Sequence, residues 1–104
     1  MTTQTGLSRD DLLKGLRELE PSLRAKGVTG LAIFGSRARG DQRPDSDLDV
    51  LVEIDSDPNF SLLDLIGVQH IIQDAIGIET QATLKSELTD RIATRISDDI
   101  IKVF

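Results

Sequence analysis

From Asp47 to Ile54 the chain reads DLDVLVEI, and its alternation admits one extended reading. Leu48, Val50, Val52 and Ile54 project to one side, and Asp47, Asp49, Leu51 and Glu53 to the other. The apolar side must be covered by other elements, while the opposite side opens with two acids. A few residues upstream, GLAIF is a short apolar run that ends in Gly35-Ser36, as a buried strand running into a turn and a helix would.

The flanking segments supply the covering elements. Ser8 followed by Asp11 marks a helix start, and Leu12, Leu13, Leu16, Leu19 and Leu23 recur at helical spacing up to Gly27, a C-cap. Pro21 either kinks this helix or opens a second short one. Ser61 and Asp64 form a capping box for a helix expected to turn Leu62, Leu65, Ile66 and Ile72 inward, and Gly77 ends it. Ile78 to Ala82 reads as a partly exposed third strand. Leu84, Leu88, Ile92, Ile96 and Ile100, four apart, predict a terminal helical region. The order helix, strand, short helix, strand, helix, strand, helix predicts an α/β (α+β) fold, with helices packed on a small mixed sheet. At 104 residues, the chain is expected to form one domain, 1–104.

Composition narrows the chemistry. Cysteine is absent, which removes disulfides and thiolate metal sites and fits a reducing cytoplasm. The first residues carry no basic-then-apolar signal pattern, and the apolar runs fall short of the roughly 20 residues of a membrane span. The net charge is −6, with arginines gathered only around Gly35–Val50, which argues against binding duplex nucleic acid but leaves room for a compact anion.

Two acids two positions apart on a strand place their carboxylates on the order of 6 Å apart. They repel by about 2 to 3 kcal/mol at an effective dielectric of about 20. Divalent cations offset that repulsion. Carboxylates with few other ligands suit Mg²⁺, and a pair of ions about 3.5 to 4 Å apart is a phosphoryl-transfer arrangement. Gly35 lets a backbone approach closely, while free N–H groups and the Ser36 hydroxyl can hold phosphate oxygens; Arg37 and Arg39 lie in the same loop. The segment therefore fits a nucleoside triphosphate. It is not a Walker A loop, since no lysine follows a Gly-rich run in the required pattern.

GSRARG followed by DSDLDV resembles the minimal nucleotidyltransferases of the DNA polymerase beta superfamily, in which Gly-Ser precedes Asp-x-Asp by ten residues. The resemblance extends from about Leu12 to the end of the chain and implies the polymerase-beta-like nucleotidyltransferase fold. It also implies a third acid on a later strand. Here Glu79 is the candidate, as a metal ligand with Asp47 and Asp49 and as a general base; its extra methylene, with Thr80 and Gln81 following, could instead mark weakened activity. By the same resemblance, Gly35, Ser36, Arg37 and Arg39 would bind ATP, and AMP would pass to an acceptor hydroxyl. Domains of this size are commonly antitoxins of HEPN ribonuclease toxins, which implies a tyrosine of the toxin as acceptor and a hetero-oligomer with it. Two other functions remain open: a catalytically quiet antitoxin that only binds, and a transferase acting on a small molecule such as an aminoglycoside.

Other polar residues have plainer readings. Arg37 and Arg39 could pair with Asp41, Asp45 or Glu53. Arg43 is expected in solvent, and Asp45 and Ser46 in shaping the turn. His70 is expected at the surface and Asp98 and Asp99 on a solvated face. Phe60 and Phe104 are expected as core or partner contacts.

Overall fold

In the computed structural model, residues 8–55 and 59–104 are described. The elements run α1 (Arg9–Glu18), α2 (Glu20–Ala25), β1 (Val28–Phe34), α3 (Ser36–Arg39), β2 (Leu48–Ile54), α4 (Leu62–Ile76), β3 (Thr80–Leu84), a single 3-10 turn (Lys85–Glu87), α5 (Asp90–Ile96) and β4 (Ile101–Lys102). The strands form one mixed sheet in the order β3-β2-β1-β4. Strand β1 is antiparallel to both β2 and β4, and β2 is parallel to β3. This is the mixed α/β architecture expected above.

Local chemistry sets the boundaries. Ser8 accepts a hydrogen bond from the Asp11 N–H and caps α1. Pro21 sits in the first turn of α2, where its missing N–H costs nothing, so it opens a second helix. Ser61 and Asp64 close a reciprocal capping box on α4, and Gly77 ends that helix in the left-handed region at φ 80°.

The buried face of β2 carries Leu48, Val50 and Val52, and β1 adds Leu31 and Ile33 beside them. Leu12, Leu13 and Leu16 of α1, and Leu65, Val68 and Ile72 of α4, join the same core. The antiparallel register sends Gly30, Ala32 and Phe34 to the other face with Glu53, Leu51 and Asp49. Leu51 is nevertheless buried on that side.

Two expectations fail here. Leu62 and Ile66 were expected inward, but they are 71% and 37% exposed; the buried stripe of α4 runs through Leu65, Val68 and Ile72, and a helix can aim only one stripe at the sheet. The four-residue series from Leu84 to Ile100 does not form one terminal helical region. Leu84 closes β3, the helix covers only Asp90–Ile96, and Ile100 leads into a fourth strand the spacing did not predict. The competing demand is the free edge of β1. Val103 N–H donates to Leu31 C=O at 2.8 Å and Leu31 N–H to Phe104 C=O at 3.1 Å. Phe60 and Phe104 pack against the core, and Arg24 lies over the Phe104 ring. No helix among the described residues is long and apolar enough to cross a membrane.

Strand β3 is an edge, and α4 closes part of it. Gln73 Oε1 accepts from the Thr80 N–H at 3.1 Å, and Gln69 Oε1, one turn earlier, accepts from the Ala82 N–H at 3.0 Å. Unpaired edge N–H groups invite pairing with another chain, and these two amides cover them. Replacing Gln69 and Gln73 together with alanine is expected to cost about 1 to 3 kcal/mol per orphaned N–H in urea unfolding. Light scattering should also reveal greater self-association; unchanged stability and scattering would exclude this role.

Candidate active site

The site forms where β1 and β2 reach the same edge of the structure. Strand β1 ends at Phe34, which pairs with Asp49, so the next residue, Gly35, turns directly across that carboxylate. Gly35 has φ 78° and ψ −158°, a conformation glycine alone adopts without strain, and a Cβ there would stand 2.5 Å from Asp49 Oδ2. Its carbonyl accepts from the N–H groups of Ala38 and Arg39 at 3.1 and 3.0 Å. This winds α3 immediately behind the turn and leaves the first-turn amides, those of Ser36 and Arg37, without intrahelical partners.

The two arginines of the loop part company. Arg37 is 5% exposed, and its Nε donates to the Ser46 carbonyl at 2.9 Å, fixing the connection before β2 against α3. Ser46 shapes that connection as expected: its hydroxyl accepts from the Arg43 N–H and its own N–H donates to the Arg43 carbonyl. Arg43 and Asp45 are exposed. Arg39 points outward, with Nε on Asp41 at 3.1 Å and Nη1 on Asp99 at 3.0 Å. Asp99, read from the sequence as a solvated acid, is thus an ion-pair partner reached across 60 residues, and no local signal could have found it. His70 lies at the surface as expected.

Asp47 is exposed and Asp49 half-buried. Burial, and then the neighbouring Asp47 charge, push the Asp49 carboxyl above the usual carboxylate range, while Arg39 partly opposes them. The parallel register extends the site onto β3. Leu48 pairs with Thr80 and Asp49 with Gln81, and the Leu48 N–H donates to the Glu79 carbonyl at 2.8 Å. Glu79 therefore stands one residue ahead of the strand, exposed, at the level of Asp47. The two share an open cleft of about 280 Å³ with Pro44, Asp45, Ser46, Gly77 and Ile78. Among the described residues no three His, Cys, Asp or Glu side chains gather closely enough to hold a metal ion, so Asp47, Asp49 and Glu79 do not close into one cluster. Asp47, one residue ahead of β2, and Asp49 on it still suit a hard divalent cation that fills its other positions with water and substrate oxygens.

Residues 10–103 match the family model of the nucleotidyltransferase domain. The protein adenylyltransferase MntA of Thermococcus cleftensis is 32% identical over 77 residues, 74% of this chain and 76% of its own length. Among solved structures, a toxin-antitoxin bound to AMP-PNP superimposes with a TM-score of 0.71 at 15% identity, over 88% of this chain and 72% of that one. A chain from the complex of tri-AMPylated Shewanella oneidensis HEPN toxin with its MNT antitoxin gives 0.63 at 10% identity, over 88% and 71%. At these identities the two structures speak for the fold.

The electrostatics of Asp49 can be tested directly. A carboxyl whose folded pKa lies above its unfolded value weakens the native state once ionised; below the ordinary carboxylate range both states hold the proton and the penalty vanishes. Without divalent cations, the Asp49→Asn variant is therefore expected to be more stable than the native chain at pH 7. The gap should be on the order of 1 kcal/mol or less, because a half-buried charge is screened. It should close as the pH falls through the carboxylate range, and a gap of equal size at pH 7 and pH 3 would contradict this reading.

Proposed function

The chain belongs to the nucleotidyltransferase domain family, and on that premise we propose that it is an antitoxin that transfers AMP from ATP to a hydroxyl of a cognate HEPN toxin. The observation that carries the proposal is the seating of the Gly35 turn against Asp49, with room for no Cβ between them. A phosphate-holding turn and a pair of carboxylates form a single site there, as a triphosphate with its cations requires. The MntA relative and the complexes with toxins support the choice of acceptor class.

Each residue then has a role. The Gly35-Ser36 amides and the Ser36 hydroxyl would hold triphosphate oxygens, and Asp47 and Asp49 would hold divalent cations, Mg²⁺ by the hardness of its donors. Bound there, the cations would supply charge neutralisation at the reacting phosphate. Arg39 would offset triphosphate charge. Arg37 serves through the loop it pins, since its Nε is committed to the Ser46 carbonyl. Glu79, exposed beside Asp47 in the cleft, would take the acceptor's proton. The acceptor oxygen, a tyrosine hydroxyl in this proposal, bonds the α-phosphorus as the link to the departing pyrophosphate breaks. We place the protein in the cytoplasm, working as one domain in complex with its toxin.

A second reading, an antitoxin that acts by binding alone, is favoured by Asp47, Asp49 and Glu79 not closing into one cluster among the described residues. Intact mass of a co-expressed toxin separates the two. AMP-sized increments are expected with the native chain and should fall at least about a hundredfold in rate with Asp49→Asn, which removes a metal-binding charge. An unmodified toxin, protected equally by both forms, would establish the binding-only antitoxin.

A further inference from the structure

On the face that carries Asp47 and Asp49, the adjacent strand contributes its own pair of side chains at the same two levels. Strands in a sheet lie about 4.8 Å apart, and partners in register project to the same face. Asp49 is in register with Gln81, whereas Glu79 falls at the level of Asp47. Burial confirms the facing: Thr80 is 1% exposed on the core side, while Glu79 and Gln81 are both exposed. The half-buried carboxylate over which Gly35 turns therefore has an uncharged amide as its cross-strand neighbour. Glu79, the acid nearest in sequence to β3 on this face among the described residues, stands one pair of residues further out.

Resting on the metal-binding role of Asp47 and Asp49, we propose that Gln81 sets how the site binds divalent cations. By placing an amide where a third carboxylate would complete the group, it keeps cation affinity low until a triphosphate brings its own oxygens. Mg²⁺-type cations prefer charged oxygen donors, and affinity at such sites follows the number of charged ligands. An amide carbonyl can offer an oxygen but no charge, and its NH₂ can donate to Asp49. The site is thus one negative charge short by virtue of one residue. An ordinary acidic side chain would have fitted this exposed position on the strand.

The test uses Mn²⁺ alone, without nucleotide, titrated into the full chain and followed by electron paramagnetic resonance. Native protein is expected to bind weakly, and Gln81→Asp and Gln81→Glu each to bind at least about tenfold more tightly. The Asp49→Asn/Gln81→Asp double variant should lose that gain, and Glu79→Gln should weaken native binding less than Asp49→Asn does. Both Gln81 variants should melt lower than native in chelator and recover with Mn²⁺, a readout that shows them folded. If Asp49→Asn weakens native binding but neither Gln81 variant tightens it, the inference is overturned while the metal role of Asp49 stands. If Glu79→Gln weakens binding as much as Asp49→Asn, the third charged ligand is at 79 and the inference is again overturned. If Mn²⁺ binding ignores both Asp49 and Gln81, the metal site itself fails and the inference with it.

Discussion

The antiparallel register of β1 and β2 is the constraint on which the rest depends. Pairing Phe34 with Asp49 does two things together: it sends Leu31 and Ile33 into the core beside Val52 and Val50, and it brings the first residue after the strand over a carboxylate. A slip of one residue would expose the apolar set and move Gly35 off Asp49, so the site inherits its precision from core packing. Arg37 guards this arrangement from the other side, since its buried Nε on the Ser46 carbonyl fixes where the returning chain enters β2. A guanidinium so deeply placed keeps one of its five donors on a neutral carbonyl, and removing it would take that carbonyl's partner away.

The features of the sequence that proved legible all express a short-range physical rule. Alternation over Leu48–Ile54 follows from the two-residue period of strands, Ser8 and Ser61 from helix capping, and Gly35 from close backbone approach at a strand-to-helix turn. What escaped was decided by partners distant in sequence. The four-residue spacing from Leu84 to Ile100 is real, yet parallel pairing with β2 claimed Leu84, and the free edge of β1 claimed the residues after Ile100. The stripe of α4 is ambiguous in sequence, because Leu62, Leu63, Leu65, Ile66 and Val68 surround the axis; only docking on the sheet chose Leu65, Val68 and Ile72. Burial of Arg37 and the tie of Arg39 to Asp99 belong to the same class. Gln81 lies between these cases: alternation from Glu79 puts it on the acidic side, but only the register puts it beside Asp49.

Charge at the site is arranged against the stability of the empty protein. In a chain of net charge −6, Asp49 is half-buried beside Asp47, and both burial and that neighbour disfavour its ionised form. The cation that opposes them, Arg39, is shared with Asp41 and Asp99, so its field at Asp49 is partly neutralised before it arrives. A folded state built for stability alone would place a neutral residue at 49 or give Arg39 to it outright. The structure does neither, which leaves a deficit of positive charge at that spot. That deficit is a binding energy held in reserve: any cation that enters relieves the repulsion and regains the stability the carboxylates forgo. Sharing Arg39 has a second consequence: under the proposed function, a triphosphate at the Gly35 turn would have to compete with Asp41 and Asp99 for the guanidinium.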